Sequence, residues 1–164
     1  VESEEGHGTR FTIELELPIA SEQQIHEKKE NQIEELAKNL NGCRILLAED
    51  NDLNAEIAMT ILQEHGVQVE RAVNGEECVE MLKAQTADYY DAVLMDIQMP
   101  VMNGYDAARA IRQLTTPHAA VSIIAMTANA FEEDKRDAVA AGMNDHIAKP
   151  IDILELTQLL KKYL

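Results

Sequence analysis

The chain has 164 residues, a mass of 18.3 kDa and 46% hydrophobic residues, which suits one compact domain of roughly 100–150 residues plus an extension. Thirty acids against fourteen bases give a formal charge of −16, which argues strongly against DNA or RNA as a direct ligand. No stretch approaches the ~18 uninterrupted apolar residues of a membrane span, and the start Val1-Glu2-Ser3-Glu4-Glu5 is not a signal peptide, so a soluble, cytoplasmic chain without direct membrane contact is expected.

From Phe11 to Leu17 apolar and polar residues alternate, with Phe11, Ile13, Leu15 and Leu17 on one face, which predicts a half-buried strand ended by Pro18. An isolated strand cannot pair its own backbone, so this one implies a sheet. Residues 21–40 predict a polar helix: Ser21 is a candidate N-cap, Ile33, Leu36, Ala37 and Leu40 follow helical spacing, and Asn41-Gly42 stops it. It is too polar for a core and suits a linker helix that pairs with another copy in a dimer.

From Arg44 short apolar runs alternate with helical stretches. The runs are Ile45–Ala48, Val67–Val73, Ala92–Met95, Val121–Met126 and a weak one at Asp145–Ala148; helices are expected near 53–65, 75–86, 104–114, 130–141 and 151–163. Five strands alternating with five helices predict an α/β fold with a parallel sheet covered on both faces. Cys43 and Cys78 lack metal-type spacing and read as reduced, buried thiols. His65 and His118 read as surface residues at loop ends, His26 as a solvated linker histidine, and Glu76, Glu77 and Glu80 as a solvated helix face.

In such sheets chemistry gathers beyond the carboxyl ends of the strands. There the first run leads into Glu49-Asp50, the third into Asp96, the fourth into Thr127 and the fifth into Lys149-Pro150. Three converging carboxylates repel one another unless a cation is present, and an all-oxygen set shared with a phosphate favours Mg²⁺. A carboxylate beside Mg²⁺ and a lysine can attack phosphorus, with Lys149 neutralising phosphoryl oxygens and Thr127 donating a hydrogen bond to one of them.

The stretches Ile45-Leu46-Leu47-Ala48-Glu49-Asp50-Asn51, Ala92 through Gly104 with Asp96 and Met99-Pro100, Ile124-Ala125-Met126-Thr127-Ala128 and His146-Ile147-Ala148-Lys149-Pro150 resemble the receiver domains of two-component response regulators over essentially all of residues 43–164. The resemblance implies a flavodoxin-like, doubly wound five-stranded sheet in the order 2-1-3-4-5. It also implies that Asp96 is the phosphoacceptor, that Glu49, Asp50, Asp96 and the Gln98 backbone carbonyl hold Mg²⁺, and that Thr127, Lys149 and His146 read the phosphorylation state. His146 stands where relatives commonly carry Tyr or Phe, and Asn103 where they carry Asp. Gln98 and Asn129 occupy the variable positions that tune phosphoryl lifetime in relatives.

Glu5-Gly6-His7-Gly8-Thr9-Arg10-Phe11-Thr12-Ile13 resembles the closing segment of the ATP-binding domain of histidine kinases. The implied layout is a kinase-domain remnant over 1–20, a linker helix over 21–42 and a receiver domain over 43–164, the order found in hybrid sensor histidine kinases. The expected function is phosphorelay signal transduction. The expected partners are the histidine kinase core of the same protein and a histidine phosphotransfer domain, with the parent attached to the inner or plasma membrane. The chain lacks the motifs that hold ATP, so it is expected to catalyse only its own phosphoryl acceptance and loss. Three rivals are weighed at the sequence level: a receiver used only for phosphorylation-independent protein contacts; an Asp-nucleophile phosphatase or phosphotransferase on small molecules, which usually carries a second acid where Gln98 stands; and a flavin carrier of similar topology, which needs a phosphate-cradling loop rich in Ser, Thr and Gly that is lacking after the first strand.

Overall fold

Alternation of side chains along each strand decides which layer a residue joins. Leu46, Ala48, Val93, Met95, Ile123 and Ala125 bury one face of a sheet, whereas Ile45, Leu47, Ala92, Leu94, Ile124, Met126 and Ile147 bury the other. These faces belong to a computed structural model that describes residues 2–4, 8–10, 40–128 and 132–163. The chain divides into two units, residues 1–30 and 31–164.

In the first unit β1 (Glu2–Glu4) pairs antiparallel with β2 (Gly8–Arg10), Glu2 opposite Arg10 and Glu4 opposite Gly8. The Glu-Ser-Glu of β1 has no apolar residue and gives no sequence signal of a strand. The expected strand over Phe11–Leu17, the linker helix up to residue 39 and His26 lie outside the described residues.

The second unit runs β3 (Arg44–Ala48), α1 (Asp52–Glu64), β4 (Gln68–Ala72), α2 (Gly75–Ala84), β5 (Ala92–Asp96), α3 (Gly104–Arg112), a 3₁₀ turn (Pro117–Ala120), β6 (Ser122–Thr127), α4 (Glu132–Ala140), β7 (Asp145–Ala148) and α5 (Ile153–Tyr163). All four strand pairings are parallel and the order is β4-β3-β5-β6-β7, which is 2-1-3-4-5 among these five. Helices α2, α3 and α4 supply Cys78, Leu82, Ile111 and Ala138 to one face; α1 and α5 supply Ala55, Leu62, Leu156 and Leu160 to the other. The doubly wound sheet expected from the sequence is therefore the one observed. β5 is central and buried at all five positions, so its carboxyl end, Asp96, is held rigidly.

Side-chain caps start the helices at fixed points. Asn51, Asn74 and Asn103 accept from the backbone N–H of Asn54, Glu77 and Asp106. Glu77 also accepts from the Val73 N–H at 2.8 Å, completing a reciprocal cap at the start of α2. The last helix begins at Ile153 rather than at 151, because Asp152 Oδ1 accepts from the N–H groups of Leu154 and Glu155 at 2.9 and 3.0 Å. Gly104 marks a close approach: a Cβ there would strike the Asp96 carbonyl, and its own N–H donates to the Ile97 carbonyl at 2.9 Å.

Two expectations about single residues are corrected. His118 is buried rather than a surface residue, because the 3₁₀ turn folds onto the end of α2 and sets its Nε2 3.1 Å from the Gln85 carbonyl and its Nδ1 2.9 Å from Thr116 Oγ1. Cys43 is only half-buried, whereas Cys78 is fully buried and, chiefly by that burial, its thiol is pushed up to about 12. Neither forms a disulfide.

Candidate functional site

Four strand ends of the second unit converge on one cleft of about 380 Å³. Glu49 and Asp50 follow β3, Asp96 closes β5, Thr127 closes β6, and Lys149 follows β7; Gln98 joins them from the turn after β5. Each of these sequence-predicted residues lines the cleft. His146 does not: it lies on β7 opposite Ala125, its backbone N–H donates to Asp145 Oδ1 at 3.0 Å and its Nδ1 stands 3.5 Å from that oxygen. Asn129 lies outside the described residues.

Lys149 organises the acids. Its Nζ stands 2.5 Å from Glu49 Oε2 and 2.8 Å from Asp96 Oδ2. Burial works against a charged lysine, but hydrogen bonds and attraction from Asp96 and Glu49 outweigh it, so the pKa of Lys149 lies above its ordinary value. For Asp96 burial dominates instead and raises its pKa, although the Lys149 hydrogen bond and charge pull the other way. Asp96 Oδ1 receives only a long 3.4 Å contact from the Gln98 N–H and is the freer oxygen.

Glu49 is 2% exposed and fully engaged: besides Lys149 on Oε2, its Oε1 accepts from Asn51 N–H at 3.3 Å and from Asn54 Nδ2 at 3.1 Å. Asp50 is exposed. The carboxylate oxygens of Glu49, Asp50 and Asp96 can lie within 4.8 Å of one another, and this all-oxygen donor set fits a hard divalent cation. With one lysine against three acids, such a cation would complete the charge balance. A basin that pairs a rigid carboxylate with a cation site and an ammonium can bind a phosphoryl group and attack it.

Sequence reasoning missed two residues that shape the site. Asn54, read only as part of a helix, donates to Glu49; the Asx cap formed by Asn51 turns it back toward the acid. Arg71, inside an apolar run, reaches from β4 to the turn that carries Glu49 and Asp50. Among the described residues no buried side-chain polar atom lacks a partner.

Comparison with known proteins places this geometry. Residues 45–161 match the family of response regulator receiver domains. The aerobic respiration control sensor protein ArcB of Escherichia coli is 33% identical over 163 residues, covering 99% of this chain and 20% of that protein. The chain spans a fifth or less of the length of the curated relatives it matches. A solved receiver domain of a sensor histidine kinase from Pseudomonas aeruginosa, with a magnesium ion coordinated in its active-site cleft, is 39% identical with a TM-score of 0.67, covering 74% of this chain and 97% of that one. The receiver domain of Ssk1 from Saccharomyces cerevisiae, solved with the histidine phosphotransfer protein Ypd1, is represented by a chain 29% identical with a TM-score of 0.66, covering 76% of this chain and 90% of that one. The parallel order, the acid cluster and a match across most of the chain agree, and the chain belongs to the response regulator receiver domain family.

Proposed function

We propose that this chain accepts a phosphoryl group from a phosphohistidine onto Asp96, as the receiver of a hybrid two-component sensor histidine kinase. The observation that carries the reading is the placement of Asp96, at the end of the central strand, beside Lys149 and across from Glu49 and Asp50. A carboxylate oxygen of Asp96 attacks phosphorus; a P–O bond forms as the P–N bond breaks, and the electron pair of the broken bond stays on the imidazole nitrogen. The product is an acyl phosphate.

Glu49, Asp50, Asp96 and the Gln98 backbone carbonyl would hold Mg²⁺, as the magnesium-bound relative suggests. The ion would supply charge neutralisation of the phosphoryl oxygens. Lys149 exchanges a carboxylate for a phosphoryl oxygen, and Thr127 hydrogen-bonds another. The movement of Thr127 makes room for the His146 ring on the next strand, shifting the population between two packings of the face built by α4, β7 and α5. Gln98 and Asn129 flank the phosphoryl group and set its lifetime.

We read residues 1–20 as the end of a kinase ATP-binding domain, 21–42 as a linker helix and 43–164 as the receiver. The likeness to ArcB supports this, since it runs over 99% of the chain and so includes the N-terminal strip. Partners on this reading are a kinase core in the same polypeptide and a histidine phosphotransfer domain, in line with the solved complex of a related receiver.

The test is transfer of label from a phosphorylated histidine phosphotransfer domain to the purified chain. Label should pass to the wild type and not to Asp96→Asn. Equal labelling of both would overturn the reading, and no labelling of either would favour a receiver used only for protein contacts.

A further inference from the structure

The Asp50 carboxylate is exposed, and among the described residues no side-chain hydrogen bond or ion pair holds it. What the protein fixes at Asp50 is therefore the origin and direction of its Cα–Cβ bond, through the backbone of the turn between β3 and α1. That turn is gripped by one side chain from the neighbouring strand. Arg71, on β4 opposite Leu47, donates from Nε to the Glu49 carbonyl at 3.0 Å and from Nη2 to the Asp50 carbonyl at 3.0 Å. Its Nη1 stands 2.8 Å from Oδ1 of the exposed Asp52 at the start of α1, so two guanidinium nitrogens hold the turn and the third holds the residue that follows it. The Glu49 N–H adds a bond to the Ala72 carbonyl at 3.0 Å.

We propose that Arg71 is a positioning residue for the cation site: its planar fork fixes the two peptide planes that flank Asp50 and so aims the Asp50 carboxylate at Glu49 and Asp96. This inference rests on the reading of the acid cluster as a Mg²⁺ site. The fork is specific to arginine. A lysine carries one ammonium and cannot span two successive carbonyls and a carboxylate in a plane. Outer groups that orient metal ligands commonly change metal affinity by about 10–100-fold when lost.

Charge alone predicts the opposite sign. Arg71 is a cation beside a site for a cation, so removing it lowers repulsion and should tighten Mg²⁺ binding. Orientation and electrostatics can therefore be separated by one titration.

The experiment titrates Mg²⁺ into the whole chain, as wild type, Arg71→Ala and Arg71→Lys, following the amide chemical shifts of residues 49–52 and 96–98. A thermal melt in chelator confirms that each variant is folded; Arg71→Lys, which keeps the charge and most of the stem, serves if Arg71→Ala is not. The half-saturating Mg²⁺ concentration should rise about tenfold in both variants. At saturating Mg²⁺ the rate of labelling by a small phosphodonor should return to within about twofold of wild type, because affinity and not the reacting groups is altered. An unchanged or lower half-saturation in the variants overturns the role of Arg71, as does full restoration by lysine. A wild type whose acid-cluster amides do not respond to Mg²⁺ overturns the underlying reading instead.

Discussion

Glu49 and Lys149 lie a hundred residues apart in the chain, and their charged atoms meet at 2.5 Å. The same ammonium reaches Asp96 at 2.8 Å, so one cation links the ends of β3, β5 and β7. Glu49 is 2% exposed, so losing this contact would leave a buried carboxyl without its cationic partner.

Lys149→Met should therefore destabilise the metal-free chain. Two carboxylates lose their shared partner, a change that costs several kcal/mol when fully buried and less here, because the lysine side chain is 21% exposed. A loss of about 2–3 kcal/mol is expected from urea denaturation in chelator. Mg²⁺ should stabilise the variant more than the wild type, since it replaces the missing charge. Equal stability of the two proteins in chelator would contradict the role assigned to the lysine.

Val101 is a β-branched residue at φ +66°, exposed at 78%, in a tight turn where Met102 N–H donates to the Pro100 carbonyl at 2.7 Å. The left-handed region costs a side chain of this kind about 1–2 kcal/mol, and glycine would relieve it while adding freedom to the unfolded chain. Val101→Gly should raise stability by about 0.5–1 kcal/mol, read as a higher urea midpoint at unchanged slope. A lower midpoint would show that the turn is not strained.

The Asp145 carboxyl is raised by burial but lowered more by Lys162, the His146 N–H and the Tyr163 hydroxyl, so its pKa lies below the ordinary 3.8. A depressed folded-state value adds stability above the unfolded pKa, and that stability is lost as pH falls through the folded value. Asp145→Asn should cost about 0.5–1 kcal/mol near neutral pH, and the difference from wild type should shrink as pH falls below about 3.8. A difference that is constant with pH would remove the electrostatic explanation.

Much of this architecture was legible because the strands that matter are apolar runs with no competing pattern. β3, β5 and β6 lie within one or two residues of the runs read from the sequence, and even the weak run Asp145–Ala148 is β7. The carboxyl-end rule then brought Glu49, Asp50, Asp96, Thr127 and Lys149 to one cleft without any side-chain geometry. What stayed illegible depends on register and packing. Arg71 carries no local signal; only its pairing opposite Leu47 sets it beside the acid turn. Asn54 looks like any helical polar residue until the Asn51 cap orients it. His118 is buried by contact with the end of α2, a neighbour more than thirty residues away in sequence. β1 was missed because Glu-Ser-Glu offers no alternation of polarity.

The account turns on whether Asp96 becomes an acyl phosphate through a cation-dependent reaction. The direct measurement is to treat the whole chain with a small phosphodonor, with Mg²⁺ or with chelator, trap the product by borohydride reduction and locate the reduced residue by peptide mass spectrometry. Modification at position 96 alone, present with Mg²⁺ and absent with chelator, is the predicted result. Modification elsewhere, or the same yield at Asp96 in chelator, would contradict the assignment of this cleft.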